Sequence, residues 1–130
     1  MTLRQYLPET ARYVPVDIVP RGPDTIVVDL NSERLPPLDA RAAAVLGVVE
    51  YLENPGAFLS QLRGFPEVVI SYNHKSPLKD LVWRLRRSRP PVTWVNQMSR
   101  REFERMLESA GFKILRRRSV RVGEKIYLIA

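Results

Sequence analysis

The chain has 130 residues, 45% of them apolar and 27% charged, and this length and composition predict one globular domain with its own hydrophobic core. It contains no cysteine and a single histidine, which excludes disulfides, thiolate chemistry and a metal site built from cysteine and histidine. No apolar run approaches the roughly 20 residues that span a bilayer, and no signal-type segment opens the sequence, so we expect a cytoplasmic protein.

The charge is distributed unevenly along the chain. Residues 1–74 hold six basic and nine acidic side chains, net −3, whereas residues 75–130 hold fifteen and five, net +10. A basic half of this kind attracts phosphates, nucleic acid or an anionic membrane surface, but a solvated basic face with no such partner is equally consistent with it. The triplet Arg116-Arg117-Arg118 cannot all face one way on a strand, so we expect it at a sheet edge.

The first elements predicted are a short helix and two strands. Thr2 to Leu7 is a helical segment that ends before Pro8. Tyr13 to Val19 and Thr25 to Leu30 are rich in β-branched residues and predict strands, separated by the turn Arg21-Gly22-Pro23-Asp24. Strands this close in sequence usually form a hairpin, because a parallel crossover normally needs about a dozen residues.

The middle of the chain alternates strand, helix and strand. Ala42 to Val49 is a continuous apolar run, typical of a strand that is buried on both faces. Asn54-Pro55 has the form of a helix start, and Gly64 has the form of its end. Glu67 to Tyr72 predicts the next buried strand.

The segment 74–98 predicts a basic amphipathic helix. Four apolar side chains recur at helical spacing, namely Leu78, Leu81, Val82 and Leu85. Such periodicity most often means packing in the core, and a lid over a binding site or contact with a membrane interface is the alternative. We expect an inserted lid or substrate segment, whose arginines Arg84, Arg86 and Arg87 are the candidates for a polyanion contact. Pro90-Pro91 ends the helix.

The last elements are a helix and a strand pair. Ser99 and Glu102 form a capping box for a helix that ends at Gly111. Phe112 to Val120 and Lys125 to Ile129 predict two strands joined by a short glycine turn, as in an antiparallel hairpin.

Polar side chains that follow predicted strands are the candidates for chemistry. Ligands of open α/β sheets collect at the carboxyl ends of strands, where an acidic residue such as Asp17 can bind ribose hydroxyls. Asp29, on the neighbouring strand, could accept from an adenine amino group; turn and cap chemistry is the alternative for both. His74 follows a strand end as a general base would, and Tyr72 beside it would orient a substrate, although a lone loop histidine is more often a surface residue. No metal-binding set is present, because the carboxylates are scattered.

The order and spacing of five segments also carry a resemblance to a known family. The segments are Asp17, Asp29-Leu30-Asn31, Leu46-Gly47-Val48-Val49-Glu50-Tyr51-Leu52, Val68-Val69-Ile70-Ser71-Tyr72, and residues 101–112. Together they resemble the class I S-adenosylmethionine-dependent methyltransferases from the second strand of that fold onward. The resemblance implies an α/β Rossmann-like sheet, mostly parallel with a C-terminal antiparallel hairpin, and the transfer of a methyl group to an unidentified acceptor.

The same resemblance implies roles for particular residues. Asp17 would bind the ribose of S-adenosylmethionine, Asp29 and Leu30 the adenine, and Leu46 with Gly47 the cofactor's far side. Because the sulfonium is already activated, methyl transfer requires mainly that donor and acceptor are held in attack geometry, so no fixed catalytic signature is expected.

The family's first strand and glycine-rich cofactor turn have no counterpart among the 130 residues, whose glycines form no G-x-G. We therefore expect an amino-terminally truncated or shortened methyltransferase-like domain over residues 1–130, with weak or no cofactor binding. Without the first strand, residues 14, 16 and 18 should pair with residues 44, 46 and 48, or a second chain should fill the place between them. The alternative function is a noncatalytic module that holds a polyanion or protein through its basic half.

Overall fold

The structure is a computed structural model that describes residues 3–85 and 94–130, arranged in two compact units, Met1–Leu35 and Pro36–Ala130. The first unit begins with one turn of 3-10 helix, Leu3–Tyr6, where a short helix was predicted. It then holds two short strands, β1 (Val16–Asp17) and β2 (Ile26–Val27). A single domain over the whole chain stays a prediction.

β1 and β2 pair in parallel although only residues 18–25 connect them. Val16 lies opposite Ile26, and the Val28 N–H donates to the Asp17 carbonyl at 3.0 Å. The connection contains no helix among its residues and reverses direction through a turn in which the Thr25 N–H donates to the Gly22 carbonyl. The hairpin that spacing alone favours is thus not formed, and the parallel order implied by the resemblance is confirmed.

The second unit is built on a four-stranded sheet with the order β3-β4-β6-β5. Its strands are β3 (Ala42–Val45), β4 (Glu67–Asn73), β5 (Ile114–Arg121) and β6 (Glu124–Ile129). β3 is parallel to β4, whereas β6 is antiparallel to both of its neighbours. The predicted C-terminal hairpin is confirmed, with Gly123 at φ +83° in its turn, and the arginine triplet lies on the edge strand β5.

The described residues of this unit form three α-helices, and the two with described caps begin as their sequences predict. They are α1 (Pro55–Gln61), α2 (Pro77–Leu85) and α3 (Arg100–Ser109), with single 3-10 turns at Val49–Tyr51 and Leu62–Gly64. The Asn54 side chain accepts from the Ala57 N–H at the start of α1. Ser99 and Glu102 form both hydrogen bonds of the capping box at the start of α3, and Gly111 follows α3 at φ +88°.

One face of the sheet is covered by α3, against which α1 packs, and forms the core. Side chains from β4 and β6 and from α3 have no exposed surface there: Val68, Ile70, Tyr72, Tyr127, Ile129, Phe103 and Leu107. The Tyr72 and Phe103 rings stack at 4.3 Å, which fixes α3 against β4.

Three expectations about β3 are wrong. The strand ends at Val45, not Val49, because Gly47 turns the backbone at φ +64° and a 3-10 turn follows. It is not buried on both faces, since Ala42 and Ala44 are exposed. It also does not pair with β1: β3 is bonded to β4, and β1 belongs to the separate sheet with β2. The alternative, a strand from a second chain, stays a prediction.

The apolar stripe of α2 does not pack in the core, contrary to the favoured interpretation of its periodicity. Leu78, Leu81 and Leu85 are 58%, 52% and 76% exposed. The prolines that were expected to end the helix, together with Arg86 and Arg87, lie outside the described residues. Within the described ranges, no helix is long and apolar enough to cross a membrane.

Candidate functional site

Asp17 closes β1 and is held in a turn by the residues that follow it. Its Oδ1 accepts from the Val19 N–H at 3.2 Å, and its Oδ2 lies 3.1 Å from Nε of Arg21. The Val19 hydrogen bond is the largest cause that lowers the pKa of Asp17, and the Arg21 side chain lowers it further, against the opposing effect of burial. The carboxylate is therefore ionised at neutral pH, and its side chain keeps 32% of its surface exposed.

Asp29 lies just beyond the end of β2 and has a similar local geometry. Its Oδ1 accepts from the Asn31 N–H at 3.0 Å, and its carbonyl accepts from the Ser32 and Glu33 N–H groups. Leu30 beside it is partly exposed. The turn chemistry named as an alternative is thus present at both carboxylates, and parallel pairing places both at the carboxyl ends of adjacent strands.

Leu46 and Gly47, which belong to the second unit, follow the end of β3 and are exposed. The Gly47 N–H donates to the Ser71 hydroxyl at 2.9 Å, which ties this turn to the neighbouring strand β4. A Cβ built on Gly47 would meet no atom within 4 Å. Positive φ, not close packing, explains glycine here, and the backbone faces open space that a ligand can approach.

Tyr72 and His74 lie in the core beneath α3, not on a surface loop. His74 is 4% exposed and packs against Phe103 and Tyr127, with its Nε2 2.7 Å from the Tyr127 hydroxyl. Burial is the main cause that lowers the pKa of His74 to about 4, with the Lys125 charge adding to it. Burial likewise raises the pKa of Tyr72 to about 12. Both side chains are neutral at pH 7, and their catalytic roles stay predictions.

A buried polar network joins the ends of β3 and β4 to the segment that precedes α3. Glu50 is 1% exposed, and its Oε1 accepts from the backbone N–H and the side-chain amide of Asn73 at 2.9 and 3.1 Å. The Glu50 carbonyl accepts from the Val95 and Asn96 N–H groups. No described residue hydrogen-bonds its buried Oε2.

Asn96 completes the network through three hydrogen bonds. Its side-chain amide donates to the carbonyls of Val49 and Leu52 at 2.7 and 2.8 Å, and its Oδ1 accepts from the Tyr72 hydroxyl at 2.6 Å. The Tyr72 hydroxyl in turn accepts from the Met98 N–H. Sequence analysis did not identify Asn96, because its partners lie 24 to 47 residues away.

The candidate polyanion contact is described only in part. Arg84 is exposed on α2, whereas Arg86 and Arg87 lie outside the described residues. In the described part of the chain no group of three or more His, Asp and Glu side chains is placed to hold a metal ion.

Comparisons with known proteins give matches among solved structures. No family model and no curated protein matches the sequence. Magnesium protoporphyrin IX methyltransferase (ChlM) from Synechocystis PCC 6803 with bound SAH matches 81% of this chain at TM-score 0.59 and 18% identity. A complex between the Haloferax volcanii Trm112 methyltransferase activator and the putative methyltransferase matches 81% at TM-score 0.60 and 11% identity. The methyltransferase CalO6 matches 82% at TM-score 0.54 and 16% identity.

The fold resembles that of solved methyltransferases. Identities of 11–18% show the fold alone, and the chain covers 49%, 59% and 40% of these three structures. The cofactor-binding roles of Asp17, Asp29, Leu30, Leu46 and Gly47 stay predictions.

Each unit by itself offers groups that could contact a nucleoside. The first unit offers an ionised, partly exposed carboxylate at Asp17, of the kind that binds ribose hydroxyls. The second unit offers the unobstructed backbone of Gly47. The sequence contains no G-x-G turn for the methionine end of the cofactor.

Proposed function

We propose that this chain is a methyltransferase-like domain that binds the adenosine part of S-adenosylmethionine and takes part in methyl transfer to an acceptor. The methionine end of the cofactor would be held by a glycine-rich turn outside residues 1–130. The chain on its own then binds the cofactor weakly.

The observation that carries this proposal is the parallel pairing of β1 and β2. A hairpin would put Asp17 and Asp29 at opposite ends of the strand pair, whereas parallel strands bring both carboxylates to the carboxyl edge where ligands of α/β sheets bind. The link between them has eight residues, 18–25, fewer than the dozen or so that a parallel crossover normally needs.

Each proposed binding residue has a chemical task. Asp17 accepts hydrogen bonds from ribose hydroxyls, and its bonds to Val19 and Arg21 keep it ionised for that task. Asp29 accepts from the adenine amino group while Leu30 packs against the base. Leu46 and Gly47 contact the cofactor through the exposed turn after β3.

S-adenosylmethionine, when bound, supplies an already activated methyl group. The work left to the protein is therefore positioning, which is worth several kcal/mol in well-oriented reactions. The buried Glu50 and Asn96 network holds the ends of β3 and β4 in place for this purpose. A protein partner is also consistent with the proposal, since one structure that shares the fold is a complex with a methyltransferase activator.

The test is an NMR titration of the whole chain, labelled with ¹⁵N, with S-adenosylhomocysteine, adenosine and methionine in turn. We expect S-adenosylhomocysteine and adenosine to shift the amides of Asp17, Asp29 and Gly47 saturably, with a Kd of about 1 mM, and methionine to shift none. Asp17→Asn and Asp29→Asn should each weaken binding about fivefold or more. Asp24→Asn removes an exposed carboxylate from the β1–β2 link and is the matched control.

Two results would remove the proposal. One is the absence of any saturable shift at these amides at about 10 mM adenosine, ten times the expected Kd. The other is equal binding by the Asp17, Asp29 and Asp24 variants.

A further inference from the structure

An exposed apolar stripe runs along α2 and is formed by Leu78, Leu81 and Leu85, each more than half exposed. These leucines recur at intervals of three and four residues, so they share one face of the helix over a length of about 10 Å. Single exposed leucines are ordinary on protein surfaces, whereas three on one helix face form a continuous patch. Such a patch indicates a surface that contacts an apolar phase or a partner.

The start of α2 is fixed to the sheet of the second unit. His74, three residues before the helix, is buried, and its N–H donates to the Gly123 carbonyl at 2.7 Å. The Lys75 N–H donates to the Met98 carbonyl at 2.9 Å. The helix is therefore already formed and held at its base, so a surface that binds the stripe does not have to fold it first.

The segment that contains α2 carries a large share of the positive charge of the chain. Residues 75–89 include six basic residues and one acidic residue, net +5, whereas the whole chain has a net charge of +7. Lys75, just before the helix, and Arg84, in its last turn, are exposed, and neither forms an ion pair with a described residue. Exposed leucines on a helix within a basic segment are typical of helices that lie on anionic membranes.

We propose that α2 binds the surface of an anionic phospholipid membrane, with the helix axis in the plane of the interface. The three leucines would enter the boundary between headgroups and acyl chains, and the long side chains of Lys75 and Arg84 would reach the anionic headgroups. The proposal does not depend on cofactor binding, because none of these residues belongs to the candidate cofactor positions.

Two other partners fit the same residues less well. A nucleic acid would pair with the basic side chains, but its phosphates and base edges offer the leucines no counterpart. A second copy of this chain would bring two net positive segments together, and the like charges disfavour that pairing. An anionic membrane satisfies both the leucines and the charge.

The test is sedimentation of the whole chain with vesicles of two compositions. One kind contains phosphatidylcholine with about one third phosphatidylserine, and the other contains phosphatidylcholine alone. We expect saturable binding to the phosphatidylserine vesicles at low salt, and binding to the neutral vesicles that is weaker by about tenfold or more. Added salt should weaken binding to the phosphatidylserine vesicles, because it screens the attraction between charges.

Matched variants locate the binding on α2. Leu81→Ser removes part of the apolar stripe and Arg84→Gln removes one charge, and each should weaken binding to phosphatidylserine vesicles about fivefold. The controls are Leu115→Ser, on β5 and 51% exposed against 52% for Leu81, and Arg101→Gln, exposed on α3. Neither control should change binding. Circular dichroism of each variant confirms that it is folded.

Several results would overturn the inference. Failure to bind either kind of vesicle, equal binding to both kinds, or an equal loss in a control variant removes α2 as an anionic membrane site. Loss of binding in Arg84→Gln without loss in Leu81→Ser would leave only a polyanion contact of the basic segment. Dimerisation in analytical ultracentrifugation that Leu81→Ser abolishes would assign the stripe to a second copy.

Discussion

Glu50 shows at the scale of single residues how a buried carboxylate joins distant parts of the chain. Its side chain holds Asn73 at the end of β4, and its carbonyl holds Val95 and Asn96 beyond α2. Loss of the side chain would leave the buried donors of Asn73 without their acceptor, and an unmet buried group costs roughly 1 to 3 kcal/mol.

We therefore expect Glu50→Ala to lower the free energy of unfolding by about 3 kcal/mol in urea denaturation. Glu50→Gln keeps an oxygen at the Oε1 position and should cost about 1 kcal/mol, because no described residue hydrogen-bonds Oε2. Equal losses in the two variants would show that the acceptor at Oε1 is not what holds Asn73.

The burial of His74 predicts that the stability of the fold depends on pH. Its pKa is about 4 in the folded chain, mainly through burial, against about 6.5 when unfolded, so the unfolded state binds more protons between these values. The groups that face it are Tyr127, Glu104, Lys125 and Arg100. The contribution of neutral, buried His74 to the free energy of unfolding is complete above pH 6.5, and it is lost as the pH falls toward 4.

We expect the free energy of unfolding to fall by up to about 3 kcal/mol between pH 6.5 and pH 4 through this residue. His74→Phe keeps a ring in the core and cannot titrate, so its stability should vary less over pH 5–6.5, where carboxylates change little. A wild-type slope unchanged in His74→Phe over that range would contradict the burial of a neutral histidine.

At the scale of elements, the exposed leucines of α2 distinguish a free helix face from a core face. Leu81→Ser and Leu85→Ser should each change the free energy of unfolding by less than about 0.5 kcal/mol, as surface substitutions do. Leu107→Ala, in the buried face of α3, is the matched comparison and should cost about 3 kcal/mol. A large loss from either α2 variant would restore the core-packing interpretation.

The same elements show how much of the fold could be predicted from sequence. The capping box at Ser99, the Asn54-Pro55 helix start and the Gly123 hairpin depend on a few neighbouring residues, and all three are confirmed. The periodicity of α2 identified an apolar stripe, but periodicity does not reveal whether another element covers the stripe. The length of β3 was overestimated because Gly47 adopts positive φ and ends the strand.

The candidate site was less predictable because its supports are distant in sequence. Asp17 and Asp29 were named as candidates because each follows a β-branched run, but spacing alone favoured the wrong pairing of their strands. Asn96 was missed because it acts through Tyr72, Val49 and Leu52, and burial of His74 could not be read from its position after a strand.

At the scale of the whole molecule, the structure shows where part of the excess positive charge of residues 75–130 lies. The basic half contains β5, where Arg117 is neutralised by Glu104 on one side of the sheet while Arg116 and Arg118 remain exposed on the other. Two of the positive charges of residues 75–130, those of Arg116 and Arg118, therefore lie exposed on the edge strand. Contact with a polyanion through Arg84, Arg86 and Arg87 stays a prediction.

The parallel pairing of β1 and β2 is the feature on which the functional account depends most. NMR scalar couplings across hydrogen bonds measure it directly in the intact chain. We expect couplings from the Ile26 amide to the Pro15 carbonyl and from the Val28 amide to the Asp17 carbonyl. Cross-strand Hα–Hα contacts between residues 16–19 and 25–28, with neither coupling present, would indicate an antiparallel hairpin and contradict it.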